Sequence, residues 1–78
     1  MIFYRFFYLA EGHMIKCYLS IIMGEKRLKI SDIAKDTGIN RGTISRLYNE
    51  TASRVELDVV DKLCDYLEIE ISDLFERI

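Results

Sequence analysis

An all-α domain of five short helices, preceded by an extended apolar arm, is the architecture this sequence predicts. Three observations lead there. The chain has no proline and only four glycines in 78 residues, too few turn-forming residues for a many-stranded fold. From Met14 onward, apolar residues recur at three- and four-residue spacings, the period of a helix with one face buried. Half of the residues are hydrophobic and 31% are charged, the balance of one small globular domain rather than a disordered chain.

Residues 1–13 form the arm and residues 14–78 the domain. Ile2-Phe-Tyr-Arg-Phe-Phe-Tyr-Leu9 is aromatic and apolar, with Arg5 its one charge. Its residue types favour an extended strand. The arm is expected to bury Phe3, Phe6 or Tyr8 at a homodimer contact, or else to pack on its own first helix. Gly12-His13-Met14 also reads as a tag junction or an upstream-start extension, with Met14 the natural first residue.

In Lys16–Lys26 the residues Leu19, Ile22 and Met23 mark the inward stripe of a first helix. A second helix runs from Ile30 or Ser31 to Asp36, with Ile33, Ala34 and Thr37 inward. Gly38 ends it, where a left-handed residue is required. Asn40 is a good N-cap for a third helix, Arg41 to about Asn49, with Ile44, Leu47 and Tyr48 inward. Glu50–Leu57 lacks periodicity and reads as a loop. Asp58 opens a fourth helix whose apolar side is Val59, Val60, Leu63, Cys64 and Leu67. Ser72 caps a last short helix, 73–77, that buries Leu74, Phe75 and Ile78.

The same residues argue against enzymology. His13 is the one histidine, and the two cysteines, Cys17 and Cys64, lack the close spacing of a zinc clasp. No phosphate-binding glycine loop and no nucleophile–base pair at useful spacing is present. No catalytic residue, metal site, cofactor or small-molecule ligand is therefore expected. Without a recognisable secretory leader or an apolar run of about 18 residues, the reading is cytoplasmic, with reduced thiols and no membrane.

Charge is unevenly spread. Residues 14–55 hold eight cations against four anions, whereas residues 56–78 hold two cations against eight anions. A basic middle followed by an acidic end gives one pole suited to a polyanion. That basic stretch contains the second helix, the turn and the third helix. Ala34 is small where the third helix crosses, Gly38 makes the turn, and Ile44 and Leu47 lock the pair together, which is the layout of a helix-turn-helix.

Residues 30–49, Ile-Ser-Asp-Ile-Ala-Lys-Asp-Thr-Gly-Ile-Asn-Arg-Gly-Thr-Ile-Ser-Arg-Leu-Tyr-Asn, resemble the helix-turn-helix of the Cro and lambda-repressor-like (XRE) family. The continuation Leu57-Asp-Val-Val-Asp-Lys-Leu-Cys-Asp-Tyr-Leu67, then Ser72-Asp-Leu-Phe75, is similar to that family's last two helices. The resemblance spans roughly Met14 to Ile78 and is greatest to a small single-domain branch. It implies a five-helix lambda-repressor-like fold and a bacterial or phage transcriptional regulator, such as a repressor. Two positions depart from the pattern. Members often carry glutamine where Ile30 stands, and many carry a closing glycine where Glu50 stands.

At 100° per residue, with Ile44 inward, Gly42, Arg46 and Asn49 point outward and Thr43 and Ser45 flank them. Arg41 occupies the exposed first turn. Such a polar, basic face fits a major groove about 12 Å wide. Arg41 and Arg46 suit bidentate contacts to guanine, Thr43 and Ser45 suit base edges, and Gly42 allows close backbone approach. Lys29, Ser31, Asn40 and Asn49 are the expected phosphate contacts. Lys35 and Arg54 read as solvated surface cations. The expected partner is double-stranded DNA, bound by a homodimer because one helix reads too few base pairs. The alternative is a protein-interaction module, such as the antitoxin of a toxin–antitoxin pair, using the acidic 56–78 segment.

Overall fold

The computed structural model describes Phe7, Tyr8 and residues 14–78. Its elements, in order, are β1 (Phe7–Tyr8), β2 (Met14–Cys17), α1 (Leu19–Lys26), α2 (Ile30–Thr37), α3 (Arg41–Tyr48), α4 (Leu57–Leu67), α5 (Ile71–Leu74) and β3 (Phe75–Arg77). The five expected helices are present, but the fold is not strictly all-α. Its three strands form an antiparallel sheet in the order β1-β2-β3. Phe7 stands opposite Ile15 on one side of β2, while Lys16 faces Glu76 and Cys17 faces Phe75 on the other.

The sheet corrects two helix boundaries. The helix expected from Lys16 starts at Leu19, because Met14–Cys17 is paired on both sides as a strand. The helix expected over 73–77 stops at Leu74, and Phe75–Arg77 extends along β2. Both changes have one cause, the pairing of β2 with a strand some sixty residues later in sequence, which local periodicity does not record. At the junction the Tyr18 amide donates to the Leu74 carbonyl at 2.8 Å.

Smaller corrections concern helix starts. The fourth helix begins at Leu57 rather than after Asp58, with Glu56 at its N-cap. Glu70, not Ser72, caps the last helix, its amide donating to Asp73 Oδ2 at 2.9 Å. Of the arm residues offered for a homodimer contact, Phe3 and Phe6 lie outside the described residues. Tyr8 belongs to β1, whose backbone pairs with β2 of the same chain.

All five helices feed one core. Leu19, Met23, Ile33, Ile44, Leu47, Leu63, Leu67 and Leu74 are each at most 2% exposed. Removing each such side chain from water contributes about 1.5–3 kcal/mol. Tyr48 and Ile78, expected inward, are instead exposed, at 39% and 59%. Across the motif, Thr37 stitches the turn: its hydroxyl donates to the Ile33 carbonyl at 2.6 Å and accepts the Ile39 amide at 3.2 Å.

Three helices end in the same way and without glycine. After α3, the Thr51 amide donates to the Arg46 carbonyl at 2.9 Å and the Glu50 amide to Leu47 at 3.3 Å. Equivalent pairs close α1 around Arg27 and α4 around Glu68. These are Schellman closures, which require a left-handed residue. Arg27, Glu50 and Glu68 accordingly have φ of 55°, 57° and 57°. Among the described residues, α2 alone uses glycine for its left-handed end, Gly38 at φ 78°.

Candidate nucleic-acid interface

The α2–turn–α3 unit is held by its apolar half and displays its polar half. Ile33, Ile39, Ile44 and Leu47 are buried, between 0% and 6% exposed. With Ile44 and Leu47 fixed, helical geometry turns Arg41 and Arg46 to solvent, where both are found. Gly42, Thr43 and Ser45 are half-buried along the flanks, and Asn40 and Asn49 are exposed at the two ends.

Local hydrogen bonds arrange this face. Asn40 Oδ1 accepts the Gly42 amide at 2.7 Å, as expected of an N-cap. Arg46 Nη2 donates to Thr43 Oγ1 one turn earlier, at 3.4 Å. Asn49 Nδ2 donates back to the Ser45 carbonyl at 2.9 Å and to Ser45 Oγ at 3.3 Å. A side chain at Gly42 would require Asn40 and Arg46 to shift their flexible ends. A Cβ there would lie 2.9 Å from Asn40 Oδ1 and 3.3 Å from Arg46 Nη1, crowding the cap and the guanidinium together.

Lys29 and Ser31 stand at the start of α2, Lys29 exposed at the N-cap and Ser31 half-buried. The Lys29 amide is already taken by Asp32 Oδ2 at 2.9 Å. That carboxylate complements the helix dipole itself and lowers the attraction of this end for a second anion. Lys29 and Ser31 place their side chains at this end of the helix.

One neighbour was not legible beforehand. Thr43 and Arg46 line a cleft of about 410 Å³ together with Thr51, Ser53, Arg54 and Glu56 of the α3–α4 loop. Arg54, read from sequence as a solvated surface cation, lines this cleft with Thr43 and Arg46 of α3. The loop has no periodicity, so nothing in the local sequence signals that return.

Both cysteine thiols are held above their ordinary pKa. Burial pushes the Cys17 thiol up to about 11, with the Glu50 charge adding to it. Burial also raises Cys64, helped by Asp61, Glu70 and Asp73. Among the described residues, no group of side chains is arranged to hold a metal ion, and no helix is long and apolar enough to cross a membrane.

Two helices joined by a left-handed glycine, the second presenting cations outward, define a helix-turn-helix domain of the DNA-binding kind. The sequence model of the Cro/C1-type HTH DNA-binding domain matches residues 18–78, and the chain belongs to that family. Among solved structures it is similar to a candidate DNA-binding protein from Bacteroides fragilis, with a TM-score of 0.70 and 22% identity. That likeness covers 81% of this chain and 100% of the other, and at such identity it is a likeness of fold. No curated protein matches the chain at a significant level.

Proposed function

We propose that this chain is a sequence-specific transcriptional regulator that binds double-stranded DNA as a homodimer, each copy setting α3 into the major groove. The observation that carries this reading is the division of α3: Ile44 and Leu47 are at most 1% exposed, while Arg41 and Arg46 face outward with Thr43 and Ser45 between them. Arg41 and Arg46 take guanine edges, Thr43 and Ser45 take neighbouring edges or the thymine methyl, and Gly42 lets the backbone come close. Arg46 arrives partly oriented by its bond to Thr43.

Lys29, Ser31 and Asn40 hold phosphates on one side of the groove. Asn49 joins them by exchanging its bond to Ser45 for a phosphate oxygen. Arg54 extends the contact on the far wall of the cleft it shares with Arg46. Selection from a randomised 20-base-pair duplex pool tests the reading. Two related half-sites with centres about 34–36 Å apart are expected. A pool without enrichment contradicts DNA reading, and enrichment of a lone asymmetric half-site contradicts the dimer.

A further inference from the structure

Glu50 occupies a position that its backbone disfavours. It has φ 57° and closes α3, in a Schellman turn where glycine would sit without strain. Its carboxylate has specific work there. Glu50 Oε1 accepts the backbone amide of Cys17 at 3.1 Å and lies 3.7 Å from Lys16 Nζ. The two charged side chains are only 8% and 11% exposed. Lys16 also lies 5.2 Å from the centre of the Tyr18 ring, so its ammonium is enclosed by an anion and an aromatic face. Glycine at residue 50 would relax the backbone and remove every one of these contacts except the last.

We propose that Glu50 is a positioning residue that fixes the C-terminal end of the reading helix to the N-terminal sheet. Arg46 lies four residues before Glu50, and its carbonyl accepts the Thr51 amide in the same turn. A movement of β2 is therefore transmitted through one carboxylate to the end of α3 that carries Arg46, Asn49 and the following loop with Arg54. The sheet is then part of the DNA-reading unit rather than an appendage. This inference rests on the assignment of α3 as the reading helix.

The test compares the full chain with Glu50→Gly, Glu50→Gln and Glu68→Gly. The last removes the same left-handed strain at a helix end that makes no such tether. For each, affinity is measured for a duplex selected by the wild type and for the random 20-base-pair pool, with folded fraction followed by circular dichroism. Glu50→Gly is expected to lower the selected-to-random affinity ratio at least tenfold, with random-pool affinity within about twofold of wild type. Glu50→Gln, which keeps an acceptor for the Cys17 amide, is expected to restore the ratio to within threefold, and Glu68→Gly to leave it unchanged. If Glu50→Gly does not fold, Lys16→Met/Glu50→Gly leaves no unpaired buried charge and carries the same expectation. An unchanged ratio in the tether-free protein, or equal loss of both affinities, overturns the positioning role while DNA reading stands. A wild type that enriches no sequence overturns both.

Discussion

The Lys16 ammonium lies 3.7 Å from the Glu50 carboxylate, with both side chains largely withdrawn from water. Such a pair contributes little when compared with a well-packed apolar alternative, but breaking it leaves a buried charge without its counterion. Lys16→Met is therefore expected to destabilise the domain by about 3 kcal/mol. Adding Glu50→Gln should recover part of that loss, because it removes the buried charge left without a counterion while the Cys17 amide keeps an acceptor. Chemical denaturation of the two variants checks both signs.

Glu68 has the backbone of Glu50 without its contacts. At φ 57° it is exposed, and among the described residues no hydrogen bond or ion pair joins its side chain to another element. A left-handed non-glycine residue costs about 1–2 kcal/mol, offset in part by the greater unfolded-state freedom of glycine. Glu68→Gly is expected to raise stability by up to about 1 kcal/mol, or a Tm gain of roughly 4–8 °C for a domain of this size. A lower melting temperature would contradict the assignment of strain there.

Arg41 and Arg46 face solvent, so their loss should spare the fold and damage recognition. Replacing either by Ala is expected to weaken binding to the selected duplex by about 1–3 kcal/mol. Preference should blur at one or two base positions, different ones for the two residues. Competition binding with single-base variants of the selected duplex measures this.

Alkaline pH tests two protonated groups besides Cys64, whose thiol is raised as well. Burial holds the Cys17 proton to about 11, and the hydrogen bond from Tyr66 to Asp36, 2.6 Å long, raises the phenol above its usual value. Both folded pKa values exceed those of the unfolded chain. The folded state then keeps protons that the unfolded state releases, and stability falls as pH rises. It should be nearly flat up to about pH 9 and decline beyond, the Tyr66 share only above about pH 10. Tyr66→Phe should flatten the upper part of that decline, read by denaturation at a series of pH values.

How much of this was legible in the sequence varies by element. α2, the Gly38 turn and α3 were readable because their determinants are local. A left-handed glycine, an asparagine cap and a 3.6-residue apolar stripe all lie within twenty residues. The sheet was not readable. Met14–Cys17 continues an apparently helical run and is a strand because Phe7–Tyr8 and Phe75–Arg77 lie beside it. Glu50 stood out as a departure from a glycine position, but its partners lie 33 and 34 residues earlier in the chain. The expectation that Tyr48 points inward failed for a geometric reason. Tyr48 is the last residue of the eight-residue α3 and is 39% exposed, whereas Ile44 and Leu47 before it are fully buried.

The exposed face of α3, with Arg41 and Arg46, is proposed to read base sequence. The most direct measurement is the ratio of affinities for the selected duplex and for a scrambled duplex of equal length and composition, both at about 150 mM salt. Specific recognition predicts a ratio of about 10³ or more, with both affinities falling as salt is raised because phosphate contacts release counterions. Equal affinities for the two duplexes would contradict it.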